Sequence, residues 1–237
     1  MASTFTVAFP LYQGCTLLDF GGATQVFSFA PGFSVLWVAE KPAPIVTSEN
    51  VSVLPAKTFD QVVSEGVKID LLFVPGGGPE VAKEMLNPAF IGFLQKVGPA
   101  AQWAGSVCTG AFLVATAGLL DGCRASTYWS QLPNLKLFPK LIVEPGYPRW
   151  VIDEEKHRFS GGGISSSIDL ALEIVQRLRG VEARMATQLA IQYAPDPPLP
   201  PSGDPAKAPP EITIEVTESQ ADFVGAIKQA TLQVVGS

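Results

Sequence analysis

Cys108 is the residue with the clearest potential for chemistry, in the stretch GSVCTG between two apolar runs. Small residues stand two positions before it and two after it, Ser106 and Gly110. This spacing is typical of a nucleophile elbow, a strained turn that needs small neighbours. The N–H groups of a following helix would favour the thiolate form of the cysteine. The alternative is that Cys108 is a small, buried apolar residue. Cys15 and Cys123 lack small residues at both of these positions, and the buried alternative is favoured for both.

A glycine triplet provides a second candidate region, in the stretch LLFVPGGGPE. The apolar run ends at Val74, and Gly76, Gly77 and Gly78 follow Pro75. Glycines let the backbone approach a ligand closely and present N–H groups, as an oxyanion hole requires. The Lys-Ser/Thr pair of a phosphate-binding loop is missing, and a plain turn is the alternative.

A third region contains Asp19, in the apolar stretch LLDFGGATQVF. A carboxyl group in such surroundings either caps a helix, here one predicted from Ala23, or has a raised pKa. Beside a thiolate it would stay protonated and act as an acid/base. A fourth stretch, FSGGGISSSIDLALEIVQRL, places Gly161–Gly163 before a long amphipathic helix, where they could close one side of the same cleft. Asp169 in that helix is interpreted as structural.

Short β-rich runs alternate with helical patterns through most of the chain, which predicts an α/β fold with a mainly parallel sheet and helices on both faces. Active sites of such sheets form outside the carboxyl ends of the strands, where the candidate regions fall. The predicted strands are Phe5–Phe9, Phe33–Ala39, Ile69–Val74, Trp103–Val107, Ala125–Tyr128, Leu141–Val143 and Arg158–Ser160, with a hairpin in Ile45–Pro55. The predicted helices are Ala23–Phe29, Glu80–Met85, Ala89–Gln95, Thr109–Ala117, Ser165–Leu178 and Val181–Ile191.

The composition changes after residue 194, which predicts one α/β domain over residues 1–194 and a proline-rich extension over 195–237. Eight prolines between Pro195 and Pro210 disfavour both helix and strand there. The segment from Glu211, which we call the C-terminal arm, starts with a β-like pattern and continues with apolar residues at helical spacing. The arm is expected to pack on the domain or on a partner subunit, and a disordered tail is the alternative.

Bulk composition excludes several classes of function. The chain has 237 residues, 47% of them hydrophobic, and a net charge of −6 without a basic block, so neither nucleic acid nor membrane is an expected partner. No signal peptide and no membrane-length apolar run stands out, and the three cysteines are odd in number, which favours the cytoplasm. With His157 as the single histidine, no metal site is expected, and no motif indicates a cofactor.

The combined motifs resemble the ThiJ/PfpI superfamily and, within it, the isonitrile hydratases, also called cyclohexyl isocyanide hydratases. The resemblance rests on LLDFGGATQVF, VPGGG, SVCTGAFLVATAGLLDGCRAST-W, SGGGISSSIDLALEIV and QLAIQYAPDPPLP. It implies a flavodoxin-like, class I glutamine-amidotransferase-like sandwich with a cysteine elbow, and a homodimer. It also implies a hydro-lyase that adds water to an apolar isonitrile and forms an N-substituted formamide. Cys108 would be the nucleophile, Asp19 the acid/base, and Thr109 a donor of a hydroxyl and an N–H. Backbone groups at the substrate would come from Gly77 opposite them and from Gly76, Gly78 and Gly162.

The chain departs from the superfamily pattern at several positions. Thr109 follows the cysteine where protease-like and chaperone-like members often have a histidine, and Tyr128 replaces the histidine of the hydratase ATTHW segment. His157 is interpreted as a surface residue on an edge strand, and the arm has no counterpart in the resemblance. Two alternatives therefore stay open: a glyoxalase-like or deglycase-like activity on small carbonyls, and a non-catalytic ligand- or redox-sensing domain.

Overall fold

The computed structural model describes residues 4–199 and 202–236. The strands are β1 (Phe5–Leu11), β2 (Phe33–Ala39), β3 (Ile45–Val46), β4 (Ser52–Val53), β5 (Lys57–Thr58), β6 (Leu71–Val74), β7 (Trp103–Ser106), β8 (Arg124–Ala125), β9 (Ile142–Val143), β10 (Trp150–Asp153) and β11 (Arg158–Gly161). The helices are α1 (Leu17–Phe29), α2 (Phe59–Ser64), α3 (Glu80–Glu84), α4 (Pro88–Val97), α5 (Gly110–Thr116), α6 (Leu132–Leu135), α7 (Ser166–Arg179), α8 (Val181–Ala190), α9 (Pro210–Ser219) and α10 (Ala221–Gly236).

Seven strands form one sheet in the order β10-β11-β7-β6-β1-β2-β5, and only β10 runs antiparallel to its neighbour. The predicted α/β fold with a mainly parallel sheet is confirmed. In this register Ser106 pairs with both Val74 and Ser160, so β6, β7 and β11 end at the same level. The three loops that follow these strands therefore meet at one edge, as parallel strands require.

The core lies on both faces of the sheet, because buried apolar runs such as Leu71–Val74 have no solvated side. Phenylalanines form a continuous layer through it: the Phe73 ring lies 5.2 Å from that of Phe9 and 5.3 Å from that of Phe159 between centroids. This packing holds β1, β6 and β11 rigidly, and the loops at their carboxyl ends start from fixed positions. No helix of the described ranges is long and apolar enough to cross a membrane.

Several element boundaries differ from the predicted ones. The predicted strand Ala125–Tyr128 is wrong beyond Ala125, because Ser126, Thr127 and Tyr128 leave β8 and turn back toward the sheet, where the Ser126 N–H donates to the Ser160 hydroxyl. The hairpin in Ile45–Pro55 is confirmed as the antiparallel pair β3 and β4. The sheet edge is formed by β10, which the sequence analysis missed, so β11 is not an edge strand.

The C-terminal arm is helical, so its predicted β-like start is wrong. The segment forms α9, and a helix satisfies its backbone groups internally. Pro210 at the first helical position also suits a helix start. In α10 the side chains of Ile227, Ala230 and Thr231 are buried against the domain, on the side of α3 and α6. Whether residues 1–194 fold as a domain without the extension stays a prediction.

Candidate active site

Cys108 occupies a strained turn between β7 and α5. Its φ is +54°, in the left-handed region that a cysteine rarely adopts, and its side chain is only 5% exposed. Gly110 allows the turn to lie against β6, because a Cβ at this position would collide with the Val74 carbonyl oxygen. A strained, non-glycine residue at this point is the geometry of a nucleophile elbow.

Two hydrogen bonds hold the backbone of Cys108 in this conformation. Its N–H donates to the Gly162 carbonyl at 2.8 Å, and its carbonyl accepts from the Thr127 hydroxyl at 2.7 Å. Gly162 thus contributes a carbonyl to the turn, and any contact of this residue with substrate stays a prediction. Thr127 is a residue that the sequence analysis missed, and only its position in the ASTYW segment pointed toward it.

Asp19 lies in the first turn of α1 and is completely buried. The helix begins at Leu17, six residues before the predicted start, so the interpretation of Asp19 as a cap is wrong. The Gly76 N–H donates to Asp19 Oδ2 at 2.8 Å, whereas Oδ1 has no hydrogen-bond partner among the described residues. Burial raises the pKa of Asp19 to about 8 against the lowering effect of the Gly76 N–H, so the group is mainly a carboxylic acid at pH 7.

Thr109 binds the glycine triplet with its hydroxyl. The Gly77 N–H donates to Thr109 Oγ1 at 3.0 Å, and that hydroxyl donates to the Gly77 carbonyl at 2.8 Å. The N–H groups of Gly76 and Gly77 are thus both occupied, and of the three triplet residues only Gly78 donates no backbone hydrogen bond within the described ranges. The triplet fixes Asp19 and Thr109 around the thiol, and its role as a donor to substrate stays a prediction.

The Cys108 thiol is not favoured as a thiolate in this structure. Burial, together with the nearby Asp19, raises the pKa of Cys108 well above its ordinary value, and the N–H and hydroxyl of Thr109 lower it less. The expectation of a thiolate at the helix end is therefore wrong for the free protein, because desolvation outweighs the donors at the start of α5. Cys108 and Asp19 both hold a proton at neutral pH.

Tyr12 is a second residue that the sequence analysis missed. Its buried hydroxyl donates to the Pro75 carbonyl at 3.2 Å. A Cβ on Gly77 would lie 3.0 Å from the hydroxyl oxygen of Tyr12. Tyr12 therefore packs against the glycine triplet and binds the residue before it, Pro75. Its pKa is raised well above the ordinary value, by burial first and then by Cys15 and Asp19, so it stays a neutral donor.

Cys15 adjoins the Gly76–Gly78 triplet, whereas Cys123 and His157 lie in other loops. All three cysteines are free and buried. Cys15 forms an isolated β-bridge with Gly77, and burial raises its pKa to about 12, so its thiol stays protonated at neutral pH. His157 is exposed in the turn between β10 and β11 and stacks on Trp103 at 4.5 Å between centroids. The described residues contain no group of three side chains that could hold a metal ion.

A mainly parallel α/β sheet with a strained cysteine after a strand defines the class of α/β proteins that carry a nucleophile elbow. Within that class, the chain belongs to the DJ-1/PfpI family, whose model matches residues 5–177. The predicted resemblance is thus confirmed at the level of the family.

Three similar proteins indicate the range of this family. The chain is 33% identical to isonitrile hydratase from Pseudomonas putida over 91% of its length and 90% of that protein. It is 27% identical to the HTH-type transcriptional regulator CdhR from Pseudomonas aeruginosa, over 78% of this chain and 53% of the regulator. A ThiJ/PfpI family protein from Pseudomonas syringae has a solved structure with 27% identity and a TM-score of 0.87, covering 97% of this chain and 91% of that chain.

The match to the Pseudomonas syringae structure includes most of the extension. Residues 195–237 are nearly a fifth of the chain, so an alignment over 97% of it cannot leave them out. The expectation that the arm has no counterpart is wrong. The extension is therefore a feature that this chain shares with a relative.

Proposed function

We propose that the protein is a cysteine-dependent isonitrile hydratase, a hydro-lyase that converts an apolar isonitrile to an N-substituted formamide. The observation that carries the proposal is the pair formed by the Cys108 elbow and the buried, protonated Asp19, with no histidine beside either. An isonitrile needs both partners at the same atom, because its terminal carbon accepts a proton and a nucleophile. The similarity to the Pseudomonas putida hydratase supports the same reaction.

The first half of the proposed reaction forms a thioimidate. The Cys108 sulfur bonds to the terminal carbon of the isonitrile while the Asp19 carboxylic acid gives its proton to that carbon. The proton of the thiol passes to the Asp19 carboxylate, so the acid is regenerated. The raised pKa of Asp19 makes the acid the prevailing form for this step.

The second half adds water and releases the enzyme. Water attacks the thioimidate carbon while one Asp19 oxygen takes a proton from this water and the other gives the acid proton to the nitrogen, so that Asp19 is again a carboxylic acid. The C–S bond then breaks, the remaining hydroxyl proton returns to the sulfur, and the N-substituted formamide leaves. A group with a pKa of about 8 can both give and accept a proton near neutral pH, which both halves require.

The test is the conversion of cyclohexyl isocyanide to N-cyclohexylformamide, followed by chromatography. We expect the wild type to form the formamide and Cys108→Ala to form none. Cys123→Ala is the matched control, because Cys123 is also a buried free cysteine but has other charged neighbours: Lys156, Asp153, Arg158 and Asp121. Formamide production by Cys108→Ala would disprove the covalent mechanism.

A non-catalytic sensing domain is the second candidate, favoured by the similarity to a transcriptional regulator. A redox sensor needs an exposed thiolate, whereas Cys108 is buried and its pKa is raised. Mass spectrometry after mild peroxide treatment tests this candidate: selective oxidation of Cys108 without isonitrile turnover would favour it. Methylglyoxal assayed in parallel tests the glyoxalase-like and deglycase-like alternative.

We also propose that the protein forms a homodimer and takes a small apolar substrate, as the resemblance implies. Light scattering coupled to size-exclusion chromatography tests the first statement, since a monomer mass would contradict it. A series of alkyl isonitriles tests the second.

A further inference from the structure

Tyr128 lies where the two segments that hold Cys108 meet. It follows Thr127, whose hydroxyl binds the Cys108 carbonyl at 2.7 Å. Its ring lies against Gly163, where a Cβ would come 3.1 Å from the ring carbon Cδ2. The preceding residue, Gly162, accepts the hydrogen bond from the Cys108 N–H. A displacement of the Tyr128 ring would therefore affect both segments that bind the Cys108 backbone.

The C-terminal arm holds the hydroxyl end of the same ring. Gln220 lies between α9 and α10, and its side-chain N–H donates to the Tyr128 hydroxyl at 2.9 Å. The amide oxygen of Gln220 accepts from the Ser130 hydroxyl at 3.0 Å. The nitrogen and the oxygen of the Gln220 amide thus bind Tyr128 and Ser130, which lie about ninety residues earlier in the chain.

The position of Gln220 is fixed by the rest of the arm. The Asn134 side-chain N–H donates to the Val224 carbonyl at 3.0 Å, and Ile227 is completely buried one turn further on. Beside this contact, a groove of about 410 Å³ is lined by Trp129 and Ser130 on one side and by Thr217 of α9 on another. The arm thus shares a groove with Trp129 and Ser130, the two residues after Tyr128, whereas Tyr128 itself and Cys108 are not among the lining residues.

We propose that Gln220 holds Tyr128 as a specificity-determining wall of the Cys108 site, so that the C-terminal arm limits the bulk of the group that reaches the thiol. Tyr128 and Gln220 are positioning residues and take no part in proton transfer. The substrate rests on the proposed function, in which the restricted group is the apolar N-substituent of the isonitrile. The restriction itself concerns access to Cys108 and is testable without that function.

The first experiment compares alkylation of Cys108 by N-ethylmaleimide and by the bulkier N-cyclohexylmaleimide, with the modified peptide quantified by mass spectrometry. In Gln220→Ala we expect the rate ratio of the bulky to the small reagent to rise about fivefold, the equivalent of one hydrogen bond. Tyr128→Phe removes the other end of that bond and should give the same rise. Ser219→Ala is the matched control, because Ser219 is exposed and adjacent to Gln220, and within residues 4–199 and 202–236 its hydroxyl binds only the Val216 carbonyl.

A double variant separates a shared hydrogen bond from two independent effects. If Gln220 acts through Tyr128, Tyr128→Phe with Gln220→Ala shows no greater change than either single variant. Rate ratios that equal the wild-type value in both single variants would overturn the proposal, and so would changes that add in the double variant. Tyr128→Phe retains the ring, so the proposal stays testable if Gln220→Ala does not fold.

The second experiment links the wall to turnover. For cyclohexyl isocyanide relative to methyl isocyanide we expect Gln220→Ala to lower KM about fivefold while kcat changes little, since the wall acts on access. If the wild type hydrates no isonitrile but the maleimide rate ratio rises in Gln220→Ala, the proposed function is disproved and the proposed role of Tyr128 and Gln220 is supported. If the wild type hydrates isonitriles and the ratio is unchanged, the wall alone is disproved.

Discussion

The two glycine triplets, Gly76–Gly78 and Gly161–Gly163, both contact the Cys108 turn, but the first binds side chains around the thiol and the second binds the backbone of Cys108. The first triplet donates N–H groups, from Gly76 to the Asp19 carboxyl and from Gly77 to the Thr109 hydroxyl. The second triplet provides a carbonyl, from Gly162 to the Cys108 N–H. One triplet orients the side chains proposed for the chemistry, and the other holds the backbone of the nucleophile.

The triplets also differ in the space around them. A Cβ on Gly76 would lie 2.6 Å from the Thr109 nitrogen and 2.9 Å from the Cys108 Cβ, so backbone would have to move. A Cβ on Gly163 would meet only the Tyr128 ring, at 3.1 Å, and one on Gly78 would meet only the end of Glu80, at 3.5 Å. Glycine is therefore required for close approach at Gly76, whereas it is replaceable at Gly78 and Gly163.

The largest effect is expected for Gly76→Ala. The added methyl group would separate the first triplet from the turn, displacing Asp19 and Thr109 together. We expect isonitrile hydration to fall about a thousandfold or more. Overpacking should also lower the free energy of unfolding by about 1–3 kcal/mol. Steady-state kinetics and urea unfolding measure both, and near-normal activity would show that the first triplet does not position the acid.

Asp19→Asn removes the acid while leaving the first triplet in place. The amide oxygen can still accept from the Gly76 N–H, but the side chain has no proton to transfer. We expect kcat to fall about a hundredfold, in the range for loss of a general acid. A folded Asp19→Asn protein with wild-type kcat would exclude Asp19 from the proton transfers, whatever the role of Cys108.

The raised pKa of Asp19 also predicts a pH dependence of stability. The folded protein keeps this proton up to a pH of about 8, whereas the unfolded chain loses it near the ordinary pKa of 3.8. Between these values the folded state binds more protons at this site, so the site's contribution to stability falls as pH rises. The slope for one proton is about 1.4 kcal/mol per pH unit.

The comparison of wild type with Asp19→Asn isolates this contribution. As pH rises from about 4 to about 8, the free energy of unfolding of the wild type should fall relative to that of the variant. The fall should be at most about 1.4 kcal/mol per pH unit, the slope for one proton. Urea unfolding at several pH values measures the difference. A constant difference over this interval would mean that the folded and unfolded states titrate alike at Asp19.

The sheet could be predicted from sequence because its inner strands are continuous apolar runs bounded by glycine and proline. The start of α1, in contrast, could not be predicted from the sequence. Thr16, at its N-terminus, makes no side-chain capping bond, and the glycines inside LLDFGGATQVF look like a break. Gly22 instead lets α1 approach α7, since a Cβ would lie 2.8 Å from the Ser167 hydroxyl. This packing between distant segments outweighs the local cost of glycine in a helix.

The candidate site was predictable in part for a related reason. Asp19, Gly76–Gly78 and Cys108 follow adjacent strands, so the topology of a parallel sheet brings them together. The hydrogen-bond partners were not predictable. Thr127 lies in a predicted strand that instead leaves β8 after Ala125, and Gln220 comes from the arm about ninety residues further along the chain. The protonation of Cys108 was missed because the sequence indicates the helix end but not the extent of burial.

The smallest effects are expected at the last residue of each triplet, Gly78 and Gly163, where an added methyl group meets only one side chain. Gly78→Ala adds a methyl group within ordinary contact of Glu80, so stability and hydration should stay within about 0.5 kcal/mol of wild type. Gly163→Ala presses on the Tyr128 ring and should change the preference between bulky and small isonitriles about twofold, with kcat retained. Parallel kinetics on the two variants measure this. A larger effect at Gly78 than at Gly163 would mean that its N–H serves the substrate directly, as the resemblance implies for the first triplet.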